Sequence, residues 1–406
     1  MTQNILLSSL WDDAIAAPLD EPGKLLYRSN LLGSDLRITN FGGGNTSAKV
    51  TSRDPLTGAD VQVLWVKGSG GDIGSMKLDG FSTLYMDKLF QLRAQYKSLD
   101  QEDAMVEALG HCIFNLNPRA PSIDTWLHGF VPATHVDHVH SDAVIAIAAA
   151  ADQVALTAQI FGGEIGYLPW QRPGIDLGIK LGAMAEANPK MVGLVLGSHG
   201  LFTWGDTAKA CYEQTLRIIN KAAVWLEANV KRPAFDGEKI SALAPEARRD
   251  AARRLMPLIR GKISKAEMKA GHFTDAPEVL EFVNSHALSS LAPLGTSCPD
   301  HFLRTKIKPL IVPADADAAT LDALIAGYRA DYAAYYERCK HPNSPAMRDP
   351  NAVIYLIPGV GMVSFAKDKA TARISAEFYV NAINVMRGAS GVSTYQGLDE
   401  QEAFNI

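Results

Sequence analysis

The stretch HVDHVH, residues 135–140, places three histidines within six positions, and a further one, His199, follows in LGSHGLF. In an extended strand side chains alternate, so His138 and His140 share a face and His135 points away from it. Two imidazoles two residues apart on a strand grip a divalent metal at two points. A catalytic site adds a third protein ligand and keeps one position open. Alone, an H-x-H pair is usually an ordinary surface or core feature. His199 changes the balance, because it ends the strand MVGLVLGS between Gly197 and Gly200, which allow a tight turn toward the pair. Upstream, Asp124 in PSIDTWLH stands just before a helix, where Pro121 and Ser122 fix the approach. It reads either as a helix N-cap, which Asp favours, or as a carboxylate beside the metal, serving as general acid/base or as a further ligand. His128, one helical turn on, reads as a packed helix histidine in preference to a second layer behind the metal, and His135 as structural.

Two glycine clusters precede these residues. FGGGNTSAK and KGSGGDIG carry Asn45, Thr46, Ser47 and Ser69. Such turns leave backbone N–H groups free to converge on an anion, and short hydroxyl and amide side chains add donors. Neither has the spacing of a P-loop, and neither forms a strand–GxGxxG–helix unit. Two such turns upstream of a metal site argue for a small phosphorylated substrate.

The elements that must position these residues alternate between the two hydrophobic periods. Residues 24–39 read as a helix, VQVLWVKG as a strand, 84–112 and 204–229 as helices, and 139–149 and 191–196 as short strands. The leading MTQNILLSSLWDDAIAA reads as an amphipathic helix and not a signal peptide. This alternation predicts an α/β or α+β architecture. Composition shifts near residue 230. The segment 231–275 is highly charged and reads as helical, and a second α/β pattern runs from about 290 onward. Two domains are therefore expected, 1–235 and 236–406. With 406 residues, 47% hydrophobic and 20% charged, the chain resembles an ordinary globular protein. A formal net charge of −5 gives no basic footprint for nucleic acid or an anionic membrane. Cys112, Cys211, Cys298 and Cys339 form no CxxC pair and read as reduced thiols. The apolar run AVIAIAAAADQVAL is too short to span a bilayer. The expectation is a soluble, cytoplasmic protein.

Four blocks in order, FGGGNTSAK, WVKGSGGDIG, PSIDTWLH with HVDHVH, and LGSHGLF, resemble the class II aldolase/adducin family of zinc-dependent sugar-phosphate aldolases and epimerases. The likeness covers about residues 25–230. It implies a central mixed β-sheet flanked by helices, with Zn2+ or another divalent metal on His138, His140 and His199. It also implies substrate phosphate on Asn45, Ser69, Gly70 and Ser122 and the catalytic carboxylate at Asp124; His128 and Thr46 are further candidates for a layer behind the site. Members that cleave by retro-aldol often carry Glu where this chain has Asp124, whereas ribulose-phosphate 4-epimerases carry Asp there, able to approach the metal. GTSCPDHFLRTK and the closing GVGMVSFAKDKATARISAEFYVNAINVMRGA are similar to the aldolase part of bifunctional rhamnulose-1-phosphate aldolase/short-chain dehydrogenases. The expected reaction is then cleavage of rhamnulose 1-phosphate to dihydroxyacetone phosphate and lactaldehyde. The alternatives are a 4-epimerase of the same family and a non-catalytic adducin-like interaction module. The resemblance also suggests a homo-oligomer with sites near subunit boundaries.

One internal echo bears on the second half. Residues 192–220 can be laid over 353–384, each running apolar strand, glycine turn, short aromatic strand, Asp and Ala-rich helix. In the same order SIDTWLH resembles CPDHFLR. This reads either as a decayed duplicate, in which Val360 stands for His199 and metal chemistry is lost, or as the likeness of any two β-turn-β-α units in an unrelated appendage. Asp300, His301 and Arg304 are then expected to shape the catalytic pocket or a subunit interface, not a second active site.

Overall fold

The computed structural model describes residues 6–116, 119–265 and 267–406. The chain divides into two compact units. The first runs to Ala148 and resumes over Gln153–Glu227, and the second comprises Ala149–Asp152 and Ala228–Ile406. The four-residue excursion is explained by a bridge between Ala150 and Tyr395, a pairing that no local pattern announces.

The first unit is built on a seven-stranded mixed sheet. Its strands are β1 (Asn45–Arg53), β2 (Asp60–Lys67), β3 (Phe81–Tyr85), β4 (His135–Val139), β5 (Ile165–Leu168), β6 (Gly193–Leu196) and β7 (Gly200–Gly205), in the order β3-β2-β1-β4-β7-β6-β5. All pairs are antiparallel except β5 with β6. Helices cover both faces. Trp126, Leu127 and Phe130 of helix Thr125–Phe130 and Leu177 and Leu181 of helix Ile175–Ala187 join Leu64, Val136, Leu194 and Phe202 in one core cluster. On the other face Leu25 of helix Glu21–Gly33 packs with Ala48 and Phe81. The alternation of β1 and β4 side chains between these layers is what separates site from support.

The second unit holds a four-stranded sheet of β8 (Ala270–Thr274), β9 (Leu310–Ile311), β10 (Ile354–Ile357) and β11 (Gly361–Ala366), in the order β8-β11-β10-β9. Here β9 runs parallel to β10, while β10–β11 and β11–β8 are antiparallel. The first sheet repeats that arrangement in β4-β7-β6-β5, with the same senses of pairing. The companion match fails. SIDTWLH lies before β4, but CPDHFLR lies between β8 and β9, in helix Pro299–Thr305, so the two are not equivalent in the chain path.

Four further expectations are corrected. Residues 139–149 are not one strand: β4 ends at Val139 and helix Asp142–Ala148 follows, its Val144–Ala148 wholly buried. A segment buried on all sides shows no period, so sequence alone cannot separate strand from helix there. The expected helix 84–112 begins as β3, becomes helix Met86–Gln95, turns extended at Tyr96, and resumes at Glu102–Ala108. The 231–275 segment is helical over Pro245–Ile263 and then enters β8. Among the described residues of the leading segment only Asp13–Ala16 is helical, capped by Asp12; residues 1–5 of that expectation lie outside the described ones. No helix among the described residues is long and apolar enough to cross a membrane.

Candidate metal centre

Pairing registers bring the histidines together. In β4–β7, His138 lies opposite Phe202 and Val139 opposite Leu201, so the β6–β7 hairpin overhangs the end of β4. The hairpin closes through His199 N–H donating to Leu196 O at 3.1 Å, with Ser198 held at φ 51°. Gly200 permits the close approach: a Cβ there would sit 2.8 Å from Val139 O, 2.9 Å from a His140 ring carbon and 3.2 Å from one of His138. His138 Nε2 is 3.2 Å from His199 Nε2 and 2.9 Å from His140 Nε2. Among the described residues these three form the one group of three metal-type donors, all within 4.8 Å of one another, and all are buried.

This donor set fits a metal on its own chemistry. Leu201 O can only accept, so the 3.1 Å contact assigns the proton to His138 Nδ1 and leaves the Nε2 lone pair facing the other rings. Phe202 stacks on His138 at 4.2 Å and 11°, which fixes the ring plane. Burial, and then the neighbouring His140 and His199, holds the His138 imidazole well below its usual range and therefore neutral. A neutral imidazole is the form that binds metal. Three ring nitrogens facing one point are donors that a single cation can share. An all-nitrogen set of three with one open position suits Zn2+ and other first-row divalent ions.

Asp124 occupies the N-cap position of helix Thr125–Phe130, but its side chain accepts from no helix N–H. Its Oδ2 accepts instead from Asn45 Nδ2, and Asn45 is the β1 residue opposite His138. Ser122 Oγ accepts from Asp124 N–H at 3.2 Å, which holds the turn. Backbone N–H donors link the two glycine turns to each other and to the loop before Asp124. Ser69 N–H donates to Ala120 O at 2.9 Å, and Gly42 N–H to Asp72 at 3.3 Å. Gly70 and Gly71 stand at φ 68° and 87° with open space where a Cβ would be, so the left-handed backbone, not crowding, asks for glycine. That turn is exposed.

Two expected members lie apart. Thr46 alternates away from Asn45; its hydroxyl meets Ser29 Oγ at 2.6 Å on the opposite face, so it does not stand behind the site. His128 is wholly buried, 2.8 Å from Ser47 Oγ, and packs against Phe202, the ring that stacks on His138, without joining the cluster of three donors. His135 points to the far face, 3.4 Å from Glu21. Sequence reasoning missed Phe202 and Leu201, although strand alternation from Gly200 placed Phe202 on the His138 face. It also missed Trp170, whose ring centre lies 6.2 Å from that of His199.

The Class II Aldolase and Adducin N-terminal domain matches residues 24–226, and the second domain of class II aldolases matches residues 250–406. Among curated proteins, an uncharacterized oxidoreductase, YuxG, of Bacillus subtilis (strain 168) is 36% identical over 410 residues, a match covering 99% of this chain. The chain spans 59% of that relative's length. Among solved structures, the N-terminal class II aldolase domain of a conserved protein from Thermoplasma acidophilum is 32% identical with a TM-score of 0.48, covering 56% of this chain and 100% of that one. An L-fuculose-1-phosphate aldolase from Thermus thermophilus is 16% identical with a TM-score of 0.34, covering 51% and 95%. On the match that takes in half its length, from the glycine turns to the third histidine, the chain belongs to the class II aldolase and adducin family.

Proposed function

We propose that this protein reversibly cleaves a ketose 1-phosphate, rhamnulose 1-phosphate first among the candidates, to dihydroxyacetone phosphate and lactaldehyde. His138, His140 and His199 would hold a divalent metal, zinc by preference. Bound there, such an ion supplies Lewis acidity toward substrate oxygens. Cleavage breaks C3–C4, removes the proton of the C4 hydroxyl and delivers one to C3, and Asp124 is the residue assigned to the proton at C3. Asn45, donating to Asp124 Oδ2, keeps one carboxylate oxygen oriented and retains a second amide hydrogen for substrate. Asn45, Ser69, Gly70 and Ser122 are assigned to the phosphate, away from the bond that breaks, where they supply orientation.

One observation carries this reading: the carboxylate at a helix N-cap position is turned from the helix toward Asn45 of β1, the residue paired with His138 of β4. A residue kept only to cap would spend its oxygen on a helix N–H. The second reading, a sugar-phosphate 4-epimerase working by the same cleavage and re-addition, is favoured by Asp in place of Glu at 124. A non-catalytic adducin-like module has no use for three converging imidazoles. Metal analysis of the purified protein, followed by product analysis with L-rhamnulose 1-phosphate, L-fuculose 1-phosphate and L-ribulose 5-phosphate, separates the three. A triose phosphate plus aldehyde supports the aldolase, an inverted pentose phosphate the epimerase, and a metal-free inert protein the module.

A further inference from the structure

Successive same-face residues of β1 each fasten a different part of helix Thr125–Phe130. Asn45 bonds the Asp124 carboxylate at its head. Ser47 Oγ lies 2.8 Å from His128 Nδ1 in its middle. Lys49 Nζ donates to His128 O at 3.2 Å, Val131 O at 2.7 Å and Ala133 O at 2.7 Å at its tail. An ammonium has three hydrogens, and here all three have acceptors. Four strand steps span about 13 Å, and the seven steps from Asp124 to Val131 rise about 10 Å if helical throughout. Strand and helix therefore keep pace, bond for bond.

The helix needs this help. Six residues are far below the length at which an isolated helix persists. It also forgoes the side-chain N-cap bond, worth about 1 kcal/mol in other helices, because Asp124 is turned elsewhere. Burial pulls the Lys49 ammonium down to about 7; its Nζ donors satisfy otherwise orphaned carbonyls at the helix end, where the helix dipole favours the charged form.

We propose that Lys49 and Ser47 are positioning residues: through helix Thr125–Phe130 they hold the Asp124 carboxylate in place beside the histidine cluster, leaving it free of capping duty. The inference rests on the acid/base role assigned to Asp124. The competing restraint is helix Ile175–Ala187, whose Gly178 and Gly182 admit the short helix so closely that a Cβ would lie 2.9 Å from Trp126 and 2.7 Å from Phe130 O.

The test uses the metal-loaded full chain and exchange of the C3 hydrogen of dihydroxyacetone phosphate in D2O, followed by proton NMR. This reads proton transfer on the triose alone, whatever the aldehyde. Lys49→Met is expected to slow exchange at saturating triose phosphate at least about ten-fold, in line with the cost of small misplacements of catalytic groups. Metal content and the half-saturating triose concentration should stay unchanged. Lys49→Arg should recover most of the loss, and Ser47→Ala should show a smaller loss of the same kind. Asp124→Asn separates the two claims: exchange at the wild-type rate in that variant removes the assigned role of Asp124. Abolished exchange there, with wild-type rates in both Lys49→Met and Ser47→Ala, overturns the positioning inference alone, leaving helix Ile175–Ala187 as the restraint. A Lys49→Met protein that folds but loses its metal also overturns it, since β1 would then support the histidines and not the carboxylate. Should Lys49→Met not fold, Ser47→Ala decides, because it keeps all three lysine bonds.

Discussion

The β6–β7 hairpin of the first unit and the β10–β11 hairpin of the second are the same turn with different contents. Leu196 pairs with Gly200 across one, and Ile357 with Gly361 across the other. His199 N–H donates to Leu196 O at 3.1 Å, and Val360 N–H to Ile357 O at 3.0 Å. The residue before each stands in the left-handed region, Ser198 at φ 51° and Gly359 at φ 80°. Carried through the neighbouring pairs, this register sets Val360 against His199, Phe273 against His138 and Asp275 against His140. Asp275 is spent on an ion pair with Arg248 at 2.9 Å. The frame thus depends on alternating apolar residues and a glycine turn, which both units keep. The proposed metal site depends on three side chains, which only the first unit has at these places. Frame and function are separable to the residue.

The sharpest way to break the comparison is to exchange its contents. His199→Val gives the first hairpin the residue of the second. The fold should survive, as Val360 shows that the turn accepts it, while bound metal and turnover fall by more than about a hundred-fold, beyond the usual cost of losing an outer-layer partner. Metal analysis beside a thermal melt reads both. The converse, Val360→His, should leave metal content unaltered, because Phe273 supplies no donor. A second equivalent of metal in that variant would contradict the register correspondence.

Asp124→Asn comes next. General acid/base groups contribute about 10²–10⁴-fold, so turnover should drop by that order while metal content stays. Loss of metal instead would make Asp124 a ligand and strengthen the epimerase reading.

Much of this was legible in the residues, and the failures have physical causes. The H-x-H face, the strand-end histidine and the two glycine turns follow from a period of two and from turn chemistry, both local. The direction of Asp124 was not legible, since a carboxylate at an N-cap position looks the same whether it serves the helix or β1. Thr46 was assigned to the site from its motif although alternation from Asn45 sends it to the far face. The helix at Asp142–Ala148 was hidden because a fully buried segment has no polar side to mark its period. The inclusion of Ala149–Asp152 in the second unit rests on a bridge to Tyr395, a contact far along the chain.

Behind the histidines, the first sheet carries a polar device that the second lacks. Arg28 and Asp137, both fully buried, form an ion pair at 2.9 Å, and Asp137 also accepts from Thr215 Oγ1 at 3.0 Å. The register places half-exposed His272 where Asp137 stands. Arg28→Met should cost about 3–5 kcal/mol, as removing one member leaves an uncompensated buried charge. The double variant Arg28→Met/Asp137→Leu should recover much of it. Urea unfolding followed by tryptophan fluorescence measures both, and a single variant within about 1 kcal/mol of wild type would mean that the pair is hydrated in solution.

The smallest effect concerns acid. Burial, and then Arg28, Lys49 and Lys24, pushes His135 down to about 3, so it is neutral in the folded protein while an unfolded chain takes up a proton near 6.5. Between those values the unfolded state binds the extra proton, so stability is whole above about pH 6.5 and falls as pH drops toward 3. The slope is about 1.4 kcal/mol per pH unit for one such histidine. His128, pushed down by burial and then by Lys49 and Arg28, adds to the same limb. The register gives Ala270 as the counterpart of His135, so His135→Ala imports the residue of the second sheet. It should flatten the acid limb while sparing metal and turnover. All six tryptophans, at 11, 65, 126, 170, 204 and 225, belong to the first unit, so their fluorescence follows that unit alone. Urea midpoints read by that signal at pH 7 and pH 5.5 should lie closer together in His135→Ala than in wild type. An unchanged gap would mean that His135 takes up its proton without unfolding, through its 3.4 Å contact with half-exposed Glu21.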